Sequence, residues 1–312
     1  MPPPVPIPAD VQLWLLDVFR GCNERVSGIV STVPNTWETS LDMSFIESFH
    51  SVSAPHLFPS GWTVDLSTHY LGSGRHWPEW EPWPRRWEIA DIGFLVQFRQ
   101  SGKLVRSKVA LLQSKRLYPD ELVNINEDTP IDYWRGFGRL FERDDEWADV
   151  IAPRPFTFTE QSRYRTLIAG NDQYRAIAGY EQQRQVPVYY MLYNPLGVPS
   201  TTVLPLRPND KPTDACDVGC RVVPASQLRA VTAAEPEGSN PSFGQLAASL
   251  TAPFDAVEHR AGWRLEHFVV NLLLDCAGGY IANSPNDGGL NYIFNRRSAP
   301  ISAALALTLD AP

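Results

Sequence analysis

Asp91 stands twenty-two positions before the tripeptide Gln113-Ser114-Lys115, and each of these residue types has a use in phosphate chemistry. Hydrolysing a phosphodiester requires neutralised non-bridging oxygens and an activated water, both of which a bound divalent cation supplies. Hard cations of the Mg²⁺ type take oxygen ligands. Asp91 offers a carboxylate and Gln113 an amide oxygen, while Lys115 can orient the water or stabilise charge that develops in the transition state. Residues two apart on a strand share a face, so Gln113 and Lys115 are expected to project together and Ser114 to point the other way.

Those residues need a rigid support, and the surrounding sequence predicts one. Val109 to Leu112 is an apolar run that leads directly into Gln113. The β-rich runs 88–99 and 103–118 are separated by Gln100-Ser101-Gly102, which predicts a hairpin with Asp91 on its first strand. A helix is expected over 36–50, where Leu41, Phe45 and Phe49 recur every fourth residue and Asn35 stands three positions before Glu38 in a capping-box pattern. At about 100° per residue, Glu38 lies about 60° from Leu41 and about 20° from Phe45, and Glu47 about 160° from Phe45. Glu38 is therefore the helix carboxylate expected to face the site, although capping would compete for it. Glu88 has the opposite strand parity to Asp91 and ranks second. Lys103, Arg106, Lys108, Lys115 and Arg116 fall within fourteen positions that hold no acid, a local basic patch suited to a phosphate backbone.

Elsewhere the chain predicts a proline-rich arm over 1–10 that extends from the core and a helix over 11–26. Residues 72–87 hold four tryptophans and three prolines, which exclude a regular helix or central strand. They would form a lid, a stacking surface or a core plug. A short helix is expected at 136–149, a helix at 171–185, a buried strand at 186–193, connections at 194–212 and 235–242, and a helical stretch at 254–275. The 312 residues, 43% of them hydrophobic, can bury a full core. A net charge of -8 argues against a protein that coats nucleic acid non-specifically. Cys22, Cys216, Cys220 and Cys276 are too few for a disulfide framework, and the Cys216/Cys220 pair lacks further zinc ligands, so free thiols in a reducing cytoplasm are expected. The prolines near the start break any membrane anchor. The histidines lack metal-ligand spacing, and no Walker loop, GxGxxG or GxSxG elbow is present.

The order of helix with Glu38, strand, strand with Asp91, strand with Gln113 and Lys115, helix and strand resembles the PD-(D/E)XK, or restriction-endonuclease-like, nuclease superfamily. ETSLDMSFIESF from Glu38, VALLQSKRLYP from Val109 and YRAIAGYEQQRQVPVYYMLYNP from Tyr174 are similar to the first helix, active strand and closing helix and strand of uncharacterised bacterial members with a QxK strand. The resemblance implies an α/β fold with an αβββαβ core at 36–195, preceded by an arm and helix at 1–35 and followed by a mixed C-terminal extension at 196–312 packed on it. It implies Mg²⁺-dependent phosphodiester hydrolysis, with Mn²⁺ able to substitute. Asp91, Gln113 and Glu38 would hold the metal, Lys115 would position the water, and Arg116, Gln173 and Tyr174 would contact substrate. DNA is expected ahead of RNA, as substrate of a bacterial defence or genome-maintenance effector that could need an activating partner or ligand, and a homodimer would suit cleavage of both strands. The chain departs from the pattern where Gln113 replaces an acid and no proline precedes Asp91. The competing expectation is a non-catalytic module that keeps the fold and uses the tryptophan segment for recognition.

Overall fold

Pro8, with extended backbone, sets the start of the first helix. Its carbonyl takes the Gln12 N–H at 3.1 Å, and α1 runs Ala9–Thr32, longer than expected. Val11, Leu15, Phe19, Cys22, Val26 and Val30 make its buried stripe. The proline-rich arm does not extend away: Ile7 is buried, Val5 packs on the core, and the Ile7 carbonyl accepts Gln12 Nε2 at 2.9 Å. The computed structural model describes residues 3–34, 36–70, 79–80, 83–86, 89–120, 154–204, 216–233, 235–250, 261–282, 284, 287–294 and 301–312.

Helix α2 spans Glu38–Glu47, with Leu41 and Phe45 buried and Glu47 exposed as its angles predict. Its cap differs from expectation. Trp37 holds the N-cap position without a side-chain bond, so Glu38 is the first helical residue and its carboxylate is free of capping duty; Asn35 lies outside the described residues. The short strand β1 (His56–Leu57) precedes β2 (Thr63–Tyr70). In the tryptophan-rich segment β3 (Glu79–Trp80) and β4 (Trp83–Arg86) pair with each other, apart from the main sheet.

The expected hairpin is present as β5 (Ala90–Gln100) and β6 (Lys103–Arg116), antiparallel. Its two-residue turn needs left-handed backbone at both Ser101 (φ 50°) and Gly102 (φ 77°), which a glycine tolerates without strain. The helix expected at 136–149 lies outside the described residues. Strand β7 (Arg154–Phe158) follows, then α3 (Asp172–Arg184), whose N-cap Asn171 accepts the Tyr174 N–H and whose C-cap Gln185 is left-handed. Strand β8 (Val188–Tyr193) is buried at every position. The stretch after Asn194 is more than a connection, since β9 (Ser200–Leu204) pairs with β7.

The remaining elements are β10 (Arg221–Pro224), α4 (Ala225–Thr232), α5 (Phe243–Ser249), β11 (Trp263–Arg264), one turn of α6 (Leu265–His267), a π-helical stretch Phe268–Leu274, β12 (Tyr280–Ala282), α7 (Gly288–Phe294) and β13 (Ile301–Ala311). The last strand was not anticipated and lies inside the sheet. The order is β1-β2-β13-β5-β6-β8-β10-β11, with β12 also pairing on β6. β13 runs parallel to β5 and antiparallel to β2. Strands β6 and β8 are parallel. The fold is a mixed α/β one, with helices packed on a nine-stranded sheet, and a division after residue 195 does not coincide with a break in that sheet. Among the described residues no helix is long and apolar enough to cross a membrane, and all four cysteines are free thiols.

Topology brings three strand ends and one helix together. Because β5 is antiparallel to β6 and β6 parallel to β8, the start of β5 and the ends of β6 and β8 share one end of the sheet, where α2 packs on β6.

Candidate active site

Asp91 is the second residue of β5. Regular pairing with β6 begins only at Ile92 opposite Leu112, so Asp91 lies just past the ladder. Its Oδ2 gathers three donors from the adjoining strand: Gln113 Nε2, Ser114 N at 2.6 Å and Ser114 Oγ at 2.8 Å. The carboxylate thus takes a place that a strand carbonyl would fill further along. Ser114 therefore reaches the site although strand parity turns its side chain away from that of Gln113, because Asp91, past the end of the β5–β6 ladder, brings its carboxylate to the β6 backbone and meets the Ser114 N–H as well as its hydroxyl. Gln113 is 2% exposed, and with Nε2 committed to Asp91 its Oε1 is buried without a hydrogen-bond partner among the described residues.

Helix α2 supplies two carboxylates one turn apart. Glu38 Oε2 lies 3.5 Å from Lys115 Nζ, while Oε1 accepts the Arg116 N–H at 3.1 Å and the Thr166 hydroxyl. Both oxygens are thus engaged. Asp42 reaches the centre of the site: Oδ2 lies 3.0 Å from Ser114 Oγ, whose single proton it shares with Asp91 Oδ2, and Oδ1 accepts the Tyr193 hydroxyl at 2.7 Å. Sequence reasoning chose between Glu38 and Glu47 and missed Asp42. The signal was available, because residues four apart lie on one helix face. Tyr193 and Thr166 were also missed, and their roles arise from contacts distant in sequence.

The electrostatics follow from this crowding. Asp42 is pushed well above the usual carboxylate range by burial, and further by the charges of Asp91 and Glu38, against the opposing bonds from Tyr193 and Ser114. Burial also raises Asp91, with Lys115 and the Ser114 bonds pulling the other way. Tyr193 is held far above the ordinary phenol range by burial first and by Asp42 next. Two partly buried carboxylates bridged by one serine hydroxyl form a group whose mutual repulsion a proton or a cation would relieve.

The other expected substrate contacts are elsewhere. Arg116 is 1% exposed, and its guanidinium donates to the carbonyls of Pro34 and Thr36, fastening the α1–α2 connection rather than facing a ligand. Tyr174 directs its hydroxyl to Thr232 Oγ1 at 2.9 Å and to the Arg229 carbonyl at 3.1 Å, packing α3 on α4. Gln173, beside it on α3, makes no hydrogen bond to the site among the described residues.

Among the described residues no three His, Cys, Asp or Glu side chains meet at metal-holding spacing. The oxygen donors at hand are two carboxylates and one amide: Asp91, Asp42 and Gln113. This set fits a hard cation, since the orphaned Gln113 Oε1 needs a partner and the carboxylate pair needs positive charge. No protein-family model, curated protein or solved structure matches the chain.

Proposed function

We propose that this chain is a metal-dependent nuclease of the PD-(D/E)XK type, acting on phosphodiester bonds in DNA ahead of RNA. One observation carries the reading: Gln113, whose Nε2 donates to Asp91, keeps its Oε1 buried without a hydrogen-bond partner among the described residues, with Lys115 two residues on and held by Glu38. On this reading Asp91 and Gln113 hold Mg²⁺ or Mn²⁺, with Glu38 acting through Lys115 rather than as a ligand. When bound, the cation neutralises the phosphate oxygens and acidifies a water.

The remaining work falls to the chain's own residues. Glu38 fixes the Lys115 ammonium, 5% exposed, where it can donate to the attacking water or to a non-bridging oxygen. As the water oxygen bonds to phosphorus and the bond to the leaving oxygen breaks, the leaving alkoxide takes a proton from solvent water and the attacking water's own proton needs an acceptor. Asp42, a carboxyl with raised proton affinity, is placed to take it, and Ser114 and Tyr193 fix its orientation.

Supercoiled plasmid incubated with Mn²⁺ tests the reading. Wild type should nick or linearise it and Lys115→Ala should not, while Mn²⁺ should raise the melting temperature of wild type but not of Asp91→Ala. A protein that cleaves neither DNA nor RNA and shows no such shift would refute it.

A further inference from the structure

We infer that Arg165 is a binding site for a nucleic-acid backbone phosphate beside the scissile position, an assignment that rests on the nuclease reading and specifies how the site takes its substrate. Arg165 and Thr166 are the central residues of a turn closed by Leu167 N–H to the Tyr164 carbonyl at 3.0 Å. The two diverge in use. Thr166 places its hydroxyl on Glu38 Oε1, so the turn is tied directly to the carboxylate that holds Lys115. The Arg165 guanidinium instead lies 5.7 Å from the centroid of the Tyr118 ring.

A cation–π contact of this kind uses the charge and the flat face and leaves the five N–H donors of the fork open. Among the described residues no carboxylate or carbonyl takes them. Glu38, joined to the turn through Thr166, is engaged by Arg116 N, Thr166 and Lys115, and Asp120, two residues after Tyr118, by Thr159 Oγ1 at 2.7 Å and Ser162 Oγ at 2.6 Å. Arg116, the other cation on Tyr118 at 4.0 Å, is committed to Pro34 and Thr36.

The turn is also stiff. Asn240 Nδ2 binds the carbonyls of Arg165 at 2.7 Å and Leu167 at 3.1 Å, Tyr164 N–H binds the Pro241 carbonyl at 3.1 Å, and the Tyr164 hydroxyl binds Asn194 Oδ1 at 2.7 Å. Arg163, exposed and two residues earlier, has its guanidinium on the Asn240 carbonyl at 2.6 Å. A guanidinium held in place on an aromatic ring, with its donors open beside a phosphate-cleaving centre, suits bidentate capture of a phosphate.

Binding measured without cleavage separates this inference from the nuclease reading. The full chain is titrated, with Ca²⁺ in place of Mg²⁺, into a short fluorescein-labelled DNA duplex at several salt concentrations, with single-stranded DNA and RNA of the same sequence as comparators. Arg165→Ala should weaken binding about ten-fold and lower the slope of log K against log salt by about 0.9, the loss of one phosphate contact. Arg165→Lys should keep the slope but not the full affinity, and melting temperatures should match wild type. An unchanged slope and affinity in Arg165→Ala, with wild type bound, overturns the assignment and leaves the nuclease reading intact. If wild type binds none of the three probes, both fall.

Discussion

Asp42→Asn should make the metal-free protein more stable. Ser114 Oγ lies 3.0 Å from Asp42 Oδ2 and 2.8 Å from Asp91 Oδ2, so the two oxygens are within about 6 Å, where at an effective dielectric near 20 unit charges repel by about 3 kcal/mol. Lys115 offsets part of this on Asp91. Asparagine removes one charge yet keeps an oxygen to accept the Tyr193 hydroxyl, so a gain of about 1–3 kcal/mol at pH 8 in EDTA is expected. The pH dependence has a definite sign. A carboxyl whose folded pKa is raised binds its proton more tightly folded than unfolded, so wild-type stability falls as pH rises from the ordinary aspartate value of about 4 toward the folded one. Urea denaturation from pH 4 to pH 8 should show the two proteins converging at the acid end and separating above it. Mn²⁺ should then favour wild type. A less stable Asp42→Asn at pH 8, or a difference that is flat with pH, would mean that Asp42 is an ordinary hydrogen-bonded side chain and not half of a repelling pair.

Lys108, fully buried, gives its Nζ to the Leu273 carbonyl at 2.8 Å, and burial lowers its pKa from 10.5 to about 8. Between those values the unfolded chain binds the proton and the folded one does not, so stability should rise with pH over that window. Lys108→Met should lose this dependence and gain about 1–2 kcal/mol at pH 7, the relief of ionisation cost less one lost hydrogen bond; a variant with the wild-type pH profile in urea denaturation refutes the account. Removing residues 301–312 takes out β13 and leaves β2 and β5 without their shared partner. The expected outcome is loss of cooperative urea unfolding and of the near-ultraviolet dichroism of a packed core, whereas a cooperative transition in the truncated chain would show that the sheet closes without β13.

What could be read from the sequence was local. The β5–β6 hairpin announced itself through Ser101-Gly102 between β-rich runs, and α3 through Tyr174, Ile177, Ala178 and Glu181 on adjoining turns. Asp91, Gln113, Lys115 and Glu38 do meet at one end of the sheet. Features that depend on distant partners were not legible. Residues 301–311 are largely buried and apolar, as a strand covered on both faces should be, but nothing local says that they insert between β2 and β5. The contact of Ser114 with Asp91 depends on where the ladder stops. That follows from how the strands pair, not from either strand's composition. Arg116 lay in a basic run that looked exposed, yet backbone carbonyls from the α1–α2 connection claim its guanidinium.

The glutamine at 113 gains a physical rationale from Asp42. A cation site needs enough negative charge to repay dehydration of the ion, and a neutral amide where the resembled motif has an acid would lower that charge if the hairpin supplied it alone. Here the second carboxylate comes from α2, and Ser114 joins it to Asp91. Glu38 and Lys115 cancel one another nearby. A glutamate at 113 would add a third charge to two carboxylates that burial already pushes toward protonation. The amide instead donates Nε2 to Asp91, relieving that repulsion, and on the nuclease reading leaves Oε1 as a neutral ligand for a cation. On the nuclease reading Gln113 keeps the site's charge at two carboxylates drawn from two elements, so α2 and the β5–β6 hairpin must both be in place before the site can hold its ion.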